Sequence, residues 1–487
     1  MLPAALLLLI ASATAFPTEG NHHPHDITWT TCPTSFETPS PIDWSNPLPN
    51  QSTGLALAKA PARNITQRIG TLLFNTGGPG QSAIEELIGN GTGFIPFSDT
   101  LRDRFDIVAI DPRGVGCSDQ IFCDAGMYNE VVKLTTFPTT EDEFEQQVVM
   151  NRRFVTTCSC PLVTHSDSRT AAQDFEAVRI ALGDEPLNYI GLSYGSMIGT
   201  AYLELFPHNI RSMVLDGNVD HSQLQPYAVL TEARAYEDVL TKFFAWCDED
   251  ESCAVHNTTL TTAKLWEDLI ARAEREALPA PACAGTSSCL PTVSASDLIL
   301  NAQQYLTYKP PLQRIAQTLS WQSFAQNLHD AYHNHNATAF SIPIADSTTT
   351  FASLATTCGD FPPTLTFSDL LNLQLLLNTT TPLTRGLSTS HSILTSCLGW
   401  PYHSSNPPHV PFIRDVSTTV LQVNALWDPE TSFDWAVALG SEIPGARLLA
   451  RRGVGHTSWG LMGEAFGLME GYLVEGVVPG VGRVVDS

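Results

Sequence analysis

A short, largely apolar run, Leu187 to Leu192 (LNYIGL), stops at Ser193, and a stretch with helical spacing, Met197 to Phe206, follows almost at once. So brief a connection between strand and helix must turn sharply. Gly191 and Gly195 flank the serine in the pattern G-x-S-x-G, where strand and helix approach too closely for larger side chains. Such a turn lifts the serine Oγ above the sheet, the geometry of a nucleophile elbow. The pattern alone recurs by chance, and its bland reading is an ordinary turn with a surface serine. The strand before it and the helix after it favour the nucleophile.

The surrounding chain has the same rhythm. Ile69 to Asn75 (IGTLLFN) ends in Thr76-Gly77-Gly78-Pro79-Gly80, and Phe105 to Asp111 (FDIVAID) ends in Pro112-Arg113-Gly114. Both read as buried parallel strands feeding glycine loops. Ala171 to Leu182 has helical spacing and stops at Gly183, and Ile210 to Asp216 (IRSMVLD) is the next strand. This order predicts an α/β, doubly wound, mostly parallel sheet. After Asp220 the alternation stops. Residues 221–411 carry helical stretches such as Leu230 to Trp246 and Thr262 to Glu276, and read as one large, mainly helical insertion. The sheet pattern returns at Thr418 to Asn424 and Ala446 to Leu449, with a closing helix over Leu461 to Val474. The predicted division is a leader over 1–15, a first core part over 16–220 that opens irregularly, a cap over 221–411, and a second core part over 412–487.

A serine hydroxyl is a poor nucleophile at neutral pH and needs a base. Of the 14 histidines, His456 fits: it lies just past the last strand, in Gly453-Val454-Gly455-His456-Thr457. An acid must hold the imidazole in its tautomer. Asp428 follows the penultimate strand and precedes His456 by one strand-helix-strand unit, and Asp216, at the end of an earlier strand, is the rival. Acyl transfer also needs donors for the oxyanion. The N–H of Tyr194, next to the nucleophile, is one candidate, and the N–H of Gly78 in the glycine loop is the other.

Met1 to Ala15 is an apolar run ending in Ala13-Thr14-Ala15, which reads as an export leader too short to span a bilayer. Six N-x-S/T sequons, at Asn50, Asn64, Asn90, Asn257, Asn336 and Asn378, and eleven cysteines agree with a secreted, extracellular glycoprotein. Cys247 and Cys253 enclose a local loop suited to a bridge, and Cys283 with Cys289 is a weaker pair of the same kind. Cys32, Cys117, Cys123, Cys158 and Cys160 are left without assigned partners. The net charge of −25 argues against nucleic acid and anionic membrane as partners. No metal motif or nucleotide loop appears, so no cofactor and no metal is expected.

Taken together, NTGGPG, FDIVAIDPRGVGCSD, YIGLSYGS, VLDGNVD, NALWDPETS and GVGHTSWG resemble the secreted tripeptidyl aminopeptidases and their proline iminopeptidase relatives. The likeness includes Trp29-x-x-Cys32, Cys358-Gly359-Asp360 and Cys397-Leu398-Gly399-Trp400-Pro401, and thins between residues 221 and 350. The resemblance implies an α/β-hydrolase fold with an inserted cap. It also implies a serine exopeptidase acting near a free amino terminus, and the triad Ser193, Asp428 and His456. Where the iminopeptidases have His-Gly-Gly-Pro-Gly, this chain has Asn75-Thr76 ahead of the glycines, closer to the tripeptidyl type. The resemblance also pairs Cys358 with Cys397. An aminopeptidase needs a carboxylate for the substrate's ammonium group. Asp360, on a loop pinned by Cys358, is the first candidate, with Glu85 and Glu86 in reserve. Two alternatives stay open: an esterase or lipase acting on a small ester, and a non-catalytic binding protein on the same fold.

Overall fold

The computed structural model describes residues 39–47, 51–89, 97–158, 161–256, 259–286, 288–307, 319–343 and 348–486, with two short strands at 9–12 and 28–30. One sheet dominates. Its strands are β1 (Leu9–Ser12), β2 (Thr28–Thr30), β3 (Ala56–Ala60), β4 (Gly70–Asn75), β5 (Phe105–Asp111), β6 (Leu187–Leu192), β7 (Ile210–Asp216), β8 (Val420–Trp427), β9 (Arg447–Val454) and β10 (Val484–Asp486). Across the sheet they run β10-β9-β8-β7-β6-β4-β5-β3-β1-β2. From β10 to β5 every pairing is parallel, and β3 joins β5 antiparallel.

Burial explains why these runs are strands. Every residue of β5 and β6 is buried, as expected for strands covered on both faces. On one face lie helices α1 (Ala83–Ile88) and, from the far end of the chain, Glu464–Glu475. On the other lie Ser168–Ala181, Tyr194–Leu205 and Phe433–Glu442. The register fixes where the loops emerge. Asn75 stands opposite Gly191, Leu192 opposite Asp216, and Asp216 opposite Val423, so the carboxyl ends of β4, β6, β7 and β8 form one edge.

Besides two short helices, Asp99–Arg104 and Ala125–Val131, the helices that follow in chain order are α2 (Glu141–Val155), α3 (Ser168–Ala181), α4 (Tyr194–Leu205), α5 (Gln225–Glu249), α6 (Thr262–Arg275), α7 (Ala295–Gln303), α8 (Trp321–His333), α9 (Thr348–Asp360), α10 (Phe367–Thr380), α11 (Thr389–Cys397), α12 (Phe433–Glu442) and α13 (Glu464–Glu475). The inserted segment builds its own aromatic core, in which Phe243, Trp266, Trp321 and Phe324 are buried together. It is not wholly helical: Leu278–Pro279 pairs with Thr292–Val293 in a small ribbon. Among the described residues, no helix is long and apolar enough to cross a membrane.

The structure extends several sequence expectations. The elbow helix starts at Tyr194 and not at Met197, because the turn takes a single residue. The first cap helix begins at Gln225, where Pro226 occupies the opening turn. β9 runs on to Val454 because the Arg451 side chain is buried and hydrogen-bonded to the Gly455 and Thr457 carbonyls and to Ser458 Oγ, an outlet that spacing does not reveal. Leu9–Ser12, read as part of a leader, pairs antiparallel with β3, an edge that offers an apolar run unpaired backbone groups. Cys247–Cys253, Cys283–Cys289 and Cys358–Cys397 are joined as expected. Cys123–Cys158 is a fourth bridge, which local spacing could not suggest across 35 residues. Cys117 is exposed, and Cys32 and Cys160 lie outside the described residues.

Candidate active site

Ser193 is the single residue between β6 and α4, with φ 54° and ψ −124°. A serine in this region of backbone space costs on the order of 1–3 kcal/mol, so its surroundings must hold it there. Ser193 N–H donates to Asp216 O at 2.8 Å, and Ser196 Oγ donates to Ser193 O at 2.6 Å. A Cβ on Gly191 would meet Gly195 O at 2.3 Å, so that turn tolerates only glycine. The loop after β4 lies directly on the elbow: a Cβ on Gly77 would come within 2.4 Å of Leu192 O and 2.9 Å of Tyr194 N. Gly78, at φ 104°, follows and shares a pocket wall with Ser193 and Tyr194.

The loop after β9 carries His456 over the same edge. A Cβ on Gly217, the residue after β7, would lie 3.2 Å from His456 Cε1. Asp428 Oδ1 and Oδ2 each lie 3.0 Å from His456 Nδ1. Asp428 is oriented in turn by the N–H groups of Glu430 and Thr431 and by Thr431 Oγ1, at 2.8–2.9 Å. Burial opposes ionisation of Asp428, but His456 and these donors outweigh it and hold the carboxyl below its ordinary range. Between the two candidate acids the geometry is unequal. Asp216 accepts from the N–H groups of Ser458 and Trp459, both at 2.7 Å, and burial pushes it up to about 6. It thus braces the backbone just after His456, while Asp428 meets the ring itself.

A pocket opens beside Ser193. Its lining includes the apolar side chains of Val219, Ala228, Phe361, Ile393 and Trp435. Asp220, Glu232 and Glu430 also line it. Glu232, on α5, accepts from Gln303 Nε2 at 2.7 Å and from Ser390 N–H at 2.8 Å, and burial pushes it up to about 7. Asp220 Oδ2 is buried with no hydrogen-bond partner, as are both amide atoms of Gln225 in the same pocket.

Three sequence-based ligand candidates fall elsewhere. Asp360 does not reach the pocket. It is fully buried behind the elbow, where it takes hydrogen bonds from Tyr194 Oη, from Ser168 N–H and Oγ at 3.0 and 2.9 Å, and from Asn406 Nδ2 at 2.7 Å. With those donors its oxygens have no room for an ammonium ion. Glu85 and Glu86 sit on α1 outside the pocket lining, Glu85 exposed and Glu86 buried. The pocket carboxylates went unnoticed for different reasons. Asp220 and Glu430 lie inside VLDGNVD and NALWDPETS and could have been found there. Glu232 sits on an amphipathic cap helix with no local signal. Of the sequons, Asn64, Asn336 and Asn378 are described, Asn378 on the exposed side of α10, and Asn50, Asn90 and Asn257 lie outside the described residues.

A family model described as alpha/beta hydrolase fold matches residues 70–351. The chain belongs to the α/β-hydrolase fold family. A second model, described as TAP-like protein, matches residues 384–485 of this α/β hydrolase. Serine protease Hip1 of Mycobacterium tuberculosis is 28% identical over 435 residues, 86% of this chain and 80% of that protein. A tripeptidyl aminopeptidase of Streptomyces coelicolor is 31% identical over 213 residues, 40% of this chain and 39% of that one. Carboxylesterase B of Mycobacterium tuberculosis is 26% identical, covering 86% of this chain and 79% of its own. This α/β hydrolase is a serine hydrolase with peptidase relatives.

Proposed function

We propose that this serine hydrolase is an exopeptidase that cleaves close to a free amino terminus. The observation that carries the reading is the acidic lining of the Ser193 pocket: Asp220, Glu232 and Glu430 all line it, and Asp220 keeps one buried oxygen without a partner. Leaving charged or polar groups buried and unsatisfied is costly, and an α-ammonium group is a partner that satisfies them. In this reading His456 takes the Ser193 proton as Oγ attacks the carbonyl, with Asp428 orienting the ring. The N–H groups of Gly78 and Tyr194 receive the oxyanion. His456 then protonates the leaving amine, and water releases the acyl group by the reverse steps.

The test is a panel of chromogenic amides and esters with free and acetylated amino termini. Free-amine amides should be cleaved at least about tenfold better than acetylated ones, a margin that one charge-assisted hydrogen bond supplies. Equal cleavage of both would remove the exopeptidase reading. The apolar residues of the pocket lining suit the acyl chain of a small ester, so a carboxylesterase is the second reading, and preference for neutral esters over every amide would establish it. Secretion belongs to the proposal as well. Four disulfides support an oxidising compartment. Amino-terminal sequencing of protein from the medium should begin after Ala15.

A further inference from the structure

We infer that Glu430 senses the substrate, pairing either with the His456 nitrogen that must receive the Ser193 proton or with the α-ammonium group of a peptide. The inference rests on the aminopeptidase reading above and adds a coupling to it. Glu430 Oε2 lies 3.6 Å from His456 Nε2. Its other oxygen accepts from Thr307 Oγ1 at 2.8 Å, and Thr307 O in turn accepts from His456 N–H at 3.1 Å. One cap residue therefore clamps both partners, so the glutamate faces the ring by construction.

Most of the neighbouring charges are already engaged. Asp428, from the end of β8, is taken by Nδ1, by Thr431 and by two backbone N–H groups. Asp216, from the end of β7, is bonded to the Ser458 and Trp459 N–H groups. Arg451, from β9, is spent on the Gly455 and Thr457 carbonyls and Ser458 Oγ. Glu232, from α5, is held by Gln303 and Ser390. Asp220 lies in the pocket, with Oδ1 bonded to Ser222 N–H and Oδ2 buried without a partner, and it is not paired with the His456 ring. Glu430 alone combines a third of its side chain exposed, a place in the pocket and an oxygen turned to Nε2.

The consequence is chemical. Burial opposes charge on His456, yet Asp428 and Glu430 outweigh it and hold the ring above the ordinary imidazole range. A protonated Nε2 cannot take the serine proton. When the ammonium of a peptide pairs with Glu430, one positive charge replaces another beside that carboxylate. The Nε2 proton then leaves to solvent and the nitrogen becomes the base. A ligand without an ammonium does not produce this exchange, so the device selects for free amines in the chemical step as well as in binding.

The experiment compares the pH dependence of kcat, which reports the enzyme–substrate complex, for a free-amine peptide p-nitroanilide and for p-nitrophenyl acetate, each at saturating concentration. In the native enzyme the rising limb for the ester should lie about one pH unit above that for the amide, a shift that corresponds to about tenfold at neutral pH. In Glu430→Gln the ester limb should move down by about one unit, raising ester turnover about tenfold at neutral pH, while free-amine amide turnover falls about tenfold. Opposite signs are the signature. Coincident limbs in the native enzyme would overturn the inference, and so would a variant in which both substrates lose activity with unmoved midpoints. The native comparison needs no variant and decides the matter even if Glu430→Gln does not fold. Failure of the underlying reading is separately visible, as equal native cleavage of free and acetylated peptides.

Discussion

Ser193 shows how one backbone angle is supported from several sides. That support comes from the backbone bond to Asp216 O and from Ser196 Oγ on the Ser193 carbonyl. Ser193→Ala should therefore keep the native melting temperature while kcat falls by roughly 10⁶-fold, read by calorimetry and turnover on one preparation. The two acids separate in the same way. Asp428→Asn should lower kcat by about 10⁴-fold, because an amide presents the wrong partner to Nδ1–H. Asp216→Asn keeps an acceptor for the Ser458 and Trp459 N–H groups and should cost far less activity. The reverse ranking would move the acid to the end of β7. Glu232→Gln should lower kcat/KM for free-amine amides by about tenfold or more and leave acetylated esters nearly unchanged.

At the scale of elements, the join between cap and core runs through a residue whose sequence-based role was misplaced. Asp360 ends α9, is tied by the adjacent Cys358–Cys397 bridge to α11, and accepts the Tyr194 hydroxyl at the first turn of α4. It fastens the helix that presents the Tyr194 N–H to the inserted segment. Asp360→Ala would take the acceptor from the buried Ser168 N–H and Tyr194 Oη, at about 1–3 kcal/mol each, and leave Asn406 Nδ2 with Ser168 Oγ. The melting temperature should drop, and amides and esters should lose activity alike. A selective loss on free-amine peptides would instead return Asp360 to the ammonium role. The sequence could not separate these outcomes, since an aspartate beside a cysteine reads equally as ligand or anchor until its donors are located.

For the whole molecule, buried acids predominate. Burial pushes Asp111 and Asp216 up to about 6 and Asp360 and Glu232 up to about 7, each above its unfolded value. A carboxyl raised by folding contributes stability that is full below its unfolded pKa and lost as pH rises through its folded one. His456 and His409, also raised, act in the same direction above the ordinary imidazole range, His409 through its bond to Glu204. His221 and His391, lowered by burial to about 4, oppose the trend only as pH falls below about 6.5. The melting temperature should therefore decline from about pH 6 to pH 8. A flat or rising profile over that range would contradict it.

Local signals determined the sheet, the elbow and the order of serine, acid and histidine, because strand runs, glycine turns and chain order are properties of adjacent residues. The hydrolase core was legible on that ground, and so were the short-loop bridges Cys247–Cys253 and Cys283–Cys289. Only the tertiary structure decided which acid meets His456, since Asp216 and Asp428 end strands that lie side by side and differ in which donors surround them. It also decided which carboxylates face the nucleophile. Glu232 comes from the first cap helix and Glu430 from the loop after β8, and the folded insertion brings them to one pocket with Ser193. The physical reason is range: periodicity reports which face of an element is buried, whereas a binding site depends on which buried faces meet.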